Sequence, residues 1–301
     1  MGTVVELLID GEPSVLAAAE RTVVAEIVRL ERVFSAFDTS SELHRWRTGA
    51  TDLASDELVE LLTMSLSWQQ RARGAYNPAV GALTRAWSAA EATGEAPSEA
   101  ELVRLARSIR EPRFAIADGA AVRLGDCREV NLNAIAKGFI VDRAAAAGMA
   151  VAGVDAITVN AGGDLVHRGA GSITVGIEDP RNAYDNTGPL TALTIAREAV
   201  ATSGSARRGY YVGARRFSHV IDPRTGQPVD RVLSASVVAS DAVVADIVAT
   251  VASVLDPPEG VAFVERLAGV GCYIVDRDGT VWQSSSWTSR TAAGFAHEVV
   301  E

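Results

Sequence analysis

The sequence predicts an α+β fold. Residues up to about 110 carry mainly helix-period patterns, whereas the residues beyond carry short β-type runs separated by Gly, Asp and Pro. Those runs follow one another through hairpin-type turns, which argues for antiparallel sheets with helices grouped around them rather than a doubly wound sheet. No Gly-rich dinucleotide fingerprint follows a strand, and "NAGGD" has the wrong spacing for one.

Taken in order, "TVVELLID" reads as a strand. Pro13 to Phe34 follows as an amphipathic helix with Leu16, Val23, Ile27 and Leu30 on one side. Leu53 to Arg73 is helical, opened by Ser55 as a cap, and Ser98 with Glu101 forms a capping-box signature that starts another helix. "AVRL", "AITVNA", "LVHRGA", "SITVGIE" and "LTALTIA" are strands. Among them lies "VNLNAIAKGF", where Asn131 and Asn133 are good N-cap residues for an Ala-rich helix over Ala134 to Ala152. "PRNAYDNTGP" reads as an exposed loop, and "RRGYYVGARRFSHVIDPRTG" as a hairpin. "VLSASVVAS" is a strand, Asp241 to Leu255 a helix, and "CYIVDRDGTVWQSS" a hairpin about Arg-Asp-Gly. The expected organisation is a single domain over 1–301, helix-rich over 10–112 and strand-rich over 113–301 with the strand at 2–10.

Composition narrows the function classes. The 301 residues are 48% apolar and 22% charged, ordinary for a globular protein. With a formal net charge of −10 and no Lys/Arg block, a nucleic-acid backbone is not an expected partner, while local charge still permits a small anionic ligand. Cys127 and Cys272 lack metal-ligand spacing and are expected to be reduced and buried. No run of 18 apolar residues exists to span a membrane, and "MGTVVELLID" has neither a basic n-region nor a cleavage site. The expectation is therefore a cytoplasmic chain as it stands, or an exported one whose leader has been removed.

Several constellations could carry chemistry. Lys137 falls at the start of a helix, where the macrodipole disfavours a cation. Either it snorkels into water, or an anion sits at that helix end and is held by N–H groups and the lysine together. Asp246 and Thr250 lie four apart on a helix face otherwise made of Ala242, Ala245 and Ala249. A carboxylate and a hydroxyl so placed can reach a hard cation such as Mg²⁺, which leaves room for phosphate oxygens. The plain alternative is an exposed Asp with a Thr bonded back to its own helix. In "FSHVIDPRTGQP", His219 could be a general base oriented by a neighbouring carboxylate such as Asp222, or a strand histidine with a satisfied hydrogen bond. The small residues Thr202 to Ser205, with Arg207 and Arg208 close behind, could admit a phosphate or form a polar turn. Gly162-Gly163-Asp164 reads as a hairpin turn, and the glycines would also permit close approach of a ligand. Phe37 and Tyr76 stand beside small or polar residues, where an aromatic can stack on a planar ring or simply pack.

Together and in this order, "MGT", "FSAFDTSSEL", "GAYNPAVGAL", "VNLNAIAKGFIVD", "VNAGGD", "VGIEDP", "ATSG", "SHVIDPRTGQPV" and "ADIVATV" resemble the FAD:protein FMN transferase family, also called ApbE. The resemblance implies an ApbE-like, T-fold-related α+β architecture, strand-rich halves with a helical part and FAD in the cleft between them. It implies Mg²⁺-dependent transfer of FMN from FAD to a Thr or Ser hydroxyl of a target flavoprotein, with release of AMP. Alternatives on the same scaffold are an FAD pyrophosphatase giving FMN and AMP, and an FAD-binding protein without turnover. Carried over by motif, Met1, Phe37, Ala75, Tyr76, Asn77, Asn131, Lys137 and Ile221 would contact FAD. Asp246, Thr250 and the carbonyl of Ala134 would hold Mg²⁺, and His219 would be catalytic. The family usually has aspartates where this chain has Asn77 and Asn131, so the site implied here carries less negative charge.

Overall fold

The computed structural model describes residues 2–182, 188–205 and 208–294. In chain order it forms β1 (Val5–Gly11), α1 (Leu16–Phe34), α2 (Glu42–Arg47), α3 (Asp56–Arg71), α4 (Gly81–Thr93) and α5 (Glu99–Ser108). Then come β2 (Phe114–Ala117), β3 (Ala120–Arg123), α6 (Asn133–Met149), β4 (Val154–Ala161), β5 (Asp164–Gly169), β6 (Ile173–Ile177) and β7 (Thr191–Ile195). The chain continues through β8 (Ala199–Gly204), β9 (Gly209–Val212), β10 (Arg215–Ser218), β11 (Val232–Ala239) and α7 (Ala242–Val254). It ends with α8 (Pro257–Val264), β12 (Gly271–Asp276), β13 (Val281–Gln283) and α9 (Ser285–Thr288). The mixed α+β expectation holds, and Ser55 and Ser98 cap α3 and α5 through bonds from Leu58 N and Glu101 N. Among the described residues, no helix is long and apolar enough to cross a membrane. Both cysteines are buried free thiols, as expected.

The residues divide into two compact units. The first comprises Val28–Ala136 and Arg208–Asp230, together with Met1, which lies outside the described residues. Its core joins α4 and α5 to the β9–β10 hairpin through Leu83, Trp87, Leu102, Ile109, Tyr210 and Ile221. Trp87 closes this core by donating its indole N–H to the carbonyl of Gly226 at 2.9 Å, and Gly226 takes the left-handed φ of +79° that the turn after Asp222 requires.

The second unit comprises Gly2–Ile27, Lys137–Arg207 and Arg231–Glu301. Its centre is an antiparallel seven-stranded sheet in the order β1-β4-β5-β8-β11-β12-β13. Strand β11 is buried along nearly its whole length because both faces are covered. Helix α7 packs against β8 and β11, and a cluster including Leu193, Ile195, Val238, Tyr273 and Trp287 brings the β6–β7 hairpin and α9 onto the sheet. Hairpin β4–β5 turns through Gly162 and Gly163, both at positive φ as a two-residue loop requires, so the hairpin reading of that motif was sound.

Candidate functional site

In the first unit the sequence-marked residues are held by backbone hydrogen bonds. Ala75, Tyr76 and Asn77 are all buried in the turn after α3. Asn77 Oδ1 accepts from the N–H of Ala79 at 2.8 Å, and its Nδ2 donates to the carbonyl of Ile109 at 2.8 Å. The carbonyl of Pro78 accepts from Asn131 N at 2.7 Å, which sets "YNPAVG" beside "VNLNAIAKG". Gly81 is needed here because a Cβ would stand 2.5 Å from the carbonyl oxygen of Glu129.

Asn131 differs from its expected role. Its Oδ1 accepts from Asn133 N at 2.8 Å in a local turn, and the helical pattern starts from the carbonyl of Leu132, which accepts from Ile135 N and Ala136 N at 3.0 and 2.8 Å. Asn133 is already inside α6, so neither asparagine is the cap itself. Most of the first-turn N–H groups are thereby satisfied within the chain, which removes the cluster of open donors imagined for an anion at this helix end. Ala134 is the second residue of α6.

Phe37 is 85% exposed, so for this aromatic the plain packing alternative fails. Its loop is nonetheless tied down: Ser35 Oγ accepts from the N–H groups of Phe37 and Asp38 at 3.3 and 3.1 Å. Arg47, which no motif marked, joins that loop to the segment before Asn131. It donates to the carbonyl of Ala36 at 2.6 Å and to that of Val130 at 2.9 Å. His219 Nδ1 lies 3.3 Å from the carbonyl oxygen of Arg208. A carbonyl only accepts, so in this contact Nδ1 is the donor. The neighbouring carboxylate of Asp222 is engaged at 2.8 and 2.9 Å by Arg224. Ile221 is buried and bridges to Pro228. Met1 and Arg207 lie outside the described residues.

In the second unit the marked residues are held by charge. Lys137 is the fifth residue of α6, so it sits just beyond the first turn. Its Nζ lies 2.9 Å from Asp164 Oδ2, and Asp164 is only 1% exposed. The anion that accounts for the lysine is thus in part the chain's own, at the end of the β4–β5 hairpin turn. Asp246 is 7% exposed and accepts from the N–H of Gly138 at 3.0 Å through Oδ2. Among the described residues its Oδ1 receives no hydrogen bond from the protein. Thr250, one turn further along α7, makes no bond back to its own helix among those residues, unlike Thr22 and Thr63, which bond to the carbonyls four residues earlier. Both halves of the plain alternative, an exposed Asp and a back-bonded Thr, therefore fail. Ala242, Ala245 and Ala249 beside them are buried too, as is nearly all of α7.

Electrostatics follow from this burial. Removal from water pushes the Asp164 carboxyl up to about 6 against the pull of Lys137. Burial also drives Asp246 well above the ordinary carboxylate range, with the negative charge of Asp164 adding to the effect and Lys137 and the Gly138 N–H opposing it. When ionised, the two carboxylates and one ammonium carry a net negative charge. No group of three His, Cys, Asp or Glu suited to a metal occurs among the described residues. One carboxylate oxygen and one hydroxyl match a hard cation that takes few protein ligands and completes its shell with phosphate oxygens and water. The residues present thus fit Mg²⁺ and do not suit a thiolate- or imidazole-bound metal.

The polar stretch Thr202 to Ser205 is not a turn: Thr202 to Gly204 belong to β8. Thr202 and Ser203 bond to Ser236 and Ser253, and a Cβ on Gly204 would stand 2.5 Å from the carbonyl oxygen of Leu233. These small residues fit close packing of β8 against β11 and α7.

Comparison with known proteins places these features in a family context. Residues 1–274 match the ApbE family. A curated FAD:protein FMN transferase of Treponema pallidum (strain Nichols) is 30% identical over 265 residues, 81% of this chain and 72% of that protein. One from Klebsiella pneumoniae (strain 342) is 28% identical over 295 residues, 93% and 83% of the two chains. For the 29%-identical FAD:protein FMN transferase of Rhodobacter capsulatus the match covers 78% of this chain but only 46% of that longer protein. Among solved structures, the ApbE protein of Thermotoga maritima superposes with a TM-score of 0.84 at 24% identity, covering 99% of this chain and 97% of that one. The flavin transferase ApbE from Vibrio cholerae gives 0.78 at 21% identity, covering 96% of each. At these identities the structural likeness concerns the fold.

Proposed function

The chain belongs to the ApbE family, and from that premise we propose that it transfers the FMN half of FAD to a Thr or Ser hydroxyl of a partner flavoprotein and releases AMP, with Mg²⁺ as its cofactor. The observation that carries this reading is the buried Asp246, with one oxygen on Gly138 N–H and Thr250 one turn away on α7. In it, Asp246, Thr250 and the carbonyl of Ala134 hold the cation, while Met1, Phe37, Ala75, Tyr76, Asn77, Asn131, Lys137 and Ile221 contact FAD. The bound cation would neutralise charge developing on the pyrophosphate oxygens.

The acceptor hydroxyl oxygen forms a bond to the FMN phosphorus, and the bond from that phosphorus to the oxygen of AMP breaks. His219 Nε2 takes the hydroxyl proton, a role supported by the Nδ1 contact with the Arg208 carbonyl. Lys137, held close to Asp164, supplies a fixed positive charge near the phosphates as AMP leaves. The exposed ring of Phe37 offers a surface for the planar part of the substrate.

Incubation with FAD, Mg²⁺ and a bacterial flavoprotein carrying a Thr acceptor tests the reading. In-gel flavin fluorescence should appear on the acceptor with the native chain and fall by at least a factor of about 100 with His219→Ala, the range of general-base loss. Persistent labelling by the His219→Ala chain would remove His219 from the proposal. FAD consumed to free FMN and AMP with no labelled acceptor would replace transfer by hydrolysis.

A further inference from the structure

Helices α6 and α7 are joined at two points. At the first, Gly138 N–H donates to Asp246 Oδ2 at 3.0 Å, and a Cβ on Gly138 would stand 2.2 Å from the carbonyl oxygen of Ala242. At the second, one turn further along α6, Asp142 Oδ2 accepts from the N–H groups of Ala242 and Val243 at 2.6 and 3.2 Å. These are the first two residues of α7. Asp142 Oδ1 accepts from Arg168 Nη2 at 2.7 Å, and the same nitrogen donates to the carbonyl of Ser240 at 3.0 Å. Gly138 and Asp142 of α6 therefore both hold the first turn of α7, at Ala242 and Val243, and Asp246 one turn along α7 reaches back to Gly138.

A helix is ordinarily capped by its own flanking residue, and α7 has such a cap: Asp241 Oδ1 accepts from Val244 N at 2.8 Å. Asp142 takes the two N–H groups that Asp241 leaves, and it does so from another helix. A cap of this kind fixes the axial position of α7 as well as satisfying its donors. Sliding α7 by one residue, about 1.5 Å, would break both contacts and carry Asp246 off the Gly138 N–H.

We propose that Asp142 is a positioning residue: it sets the register of α7 against α6 and thereby the placement of the Asp246 carboxylate and the Thr250 hydroxyl. The consequence for metal binding rests on the reading of Asp246 and Thr250 as cation donors; the consequence for register does not.

Mn²⁺ serves as the probe, with free ion followed by electron paramagnetic resonance in the full chain. Exchange protection of the Gly138 amide is read by NMR on the same samples, and metal-free FAD binding by flavin fluorescence. Asp142→Ala should weaken Mn²⁺ binding about tenfold or more, the usual effect of removing a group that orients a metal ligand. It should also expose the Gly138 amide to exchange while leaving metal-free FAD binding unchanged. Asp142→Asn retains an oxygen for the Ala242 and Val243 N–H groups and should restore most of both properties. Should Asp142→Ala fail to fold, Arg168→Gln, which loosens Asp142 without removing it, should shift both readouts in the same direction by less. Native Mn²⁺ affinity and native Gly138 protection in folded Asp142→Ala, or failing that in Arg168→Gln, would overturn the inference. If the native chain takes up no Mn²⁺ while Gly138 protection still depends on Asp142, the register role stands and the cation role of Asp246 falls.

Discussion

The two units hold their marked residues by different physics. In the first, Asn77, Asn131 and His219 are oriented by main-chain groups, through bonds to Ile109, Ala79, Asn133 and Arg208. In the second, Lys137 pairs with the buried Asp164 near the buried Asp246, and the half-buried ion pair of Asp142 with Arg168 lies beside them. Main-chain scaffolding fixes geometry at little electrostatic cost. Buried charge is held only by its partners, and removing one leaves the other stranded in a low dielectric. Substitutions in the two units should therefore differ in size and in their response to pH.

The largest effect is expected at Gly138. Alanine there would gain about 1 kcal/mol of helix propensity in isolation, yet its Cβ would stand 2.2 Å from a main-chain oxygen of α7. Gly138→Ala should destabilise the chain by about 3 kcal/mol or more, measured by urea denaturation. A neutral or stabilising result would show that α6 and α7 can separate without cost. Next, Lys137→Met leaves Asp164 buried without its ammonium and should cost about 2–3 kcal/mol at pH 8, less than a fully buried pair because Lys137 is 28% exposed.

Asp164 supplies the pH test. Its folded-state carboxyl is raised to about 6, so between the unfolded value near 4 and about 6 the folded chain binds more protons than the unfolded one. Metal-free stability is then greatest below pH 4 with respect to this group and declines as pH rises through about 6. Asp164→Asn should flatten that decline, and Mg²⁺, which competes with protons for the same cluster, should stabilise more at pH 7.5 than at pH 5.5. Thermal melts across pH would expose the opposite slope, which would contradict the burial argument.

The two asparagines should separate in the first unit. Asn77→Asp sets a carboxylate against the Ile109 carbonyl and loses a buried donor, for about 1–3 kcal/mol. Asn131→Asp keeps the bond from Asn133 N and should change stability by less than about 0.5 kcal/mol. Equal costs in denaturant midpoints would erase the distinction between a structural asparagine and one free to differ from its relatives.

Much of the fold was legible because it is written locally. Caps at Ser55 and Ser98, the strand at β1 and the hairpin at Gly162-Gly163 are contained within a few residues, whereas Asp241, read as part of its helix, proves to be the cap before it. Short helices such as α2 and α8 escaped notice, having too few turns to establish a period. For the site, the four-residue spacing of Asp246 and Thr250 was readable, but the burial of Asp246 was not, since it depends on strands distant in sequence. Asp164 shows the same limit: its local signal is that of the turn it flanks, while its ion pair is with a helix elsewhere. A mid-helix glycine at 138 was a usable clue, because its propensity penalty calls for a close neighbour. Arg47 and Asp142 carried no local sign at all.

The most direct test of Mg²⁺-dependent FMN transfer is a chromatogram of FAD incubated with the native chain and an acceptor flavoprotein, with and without Mg²⁺, read for AMP. AMP should form only with Mg²⁺, in step with flavin bound to the acceptor, and should vanish with Asp246→Ala. FAD that survives intact with Mg²⁺ and acceptor present, or AMP formed equally by the Asp246→Ala chain, would contradict it.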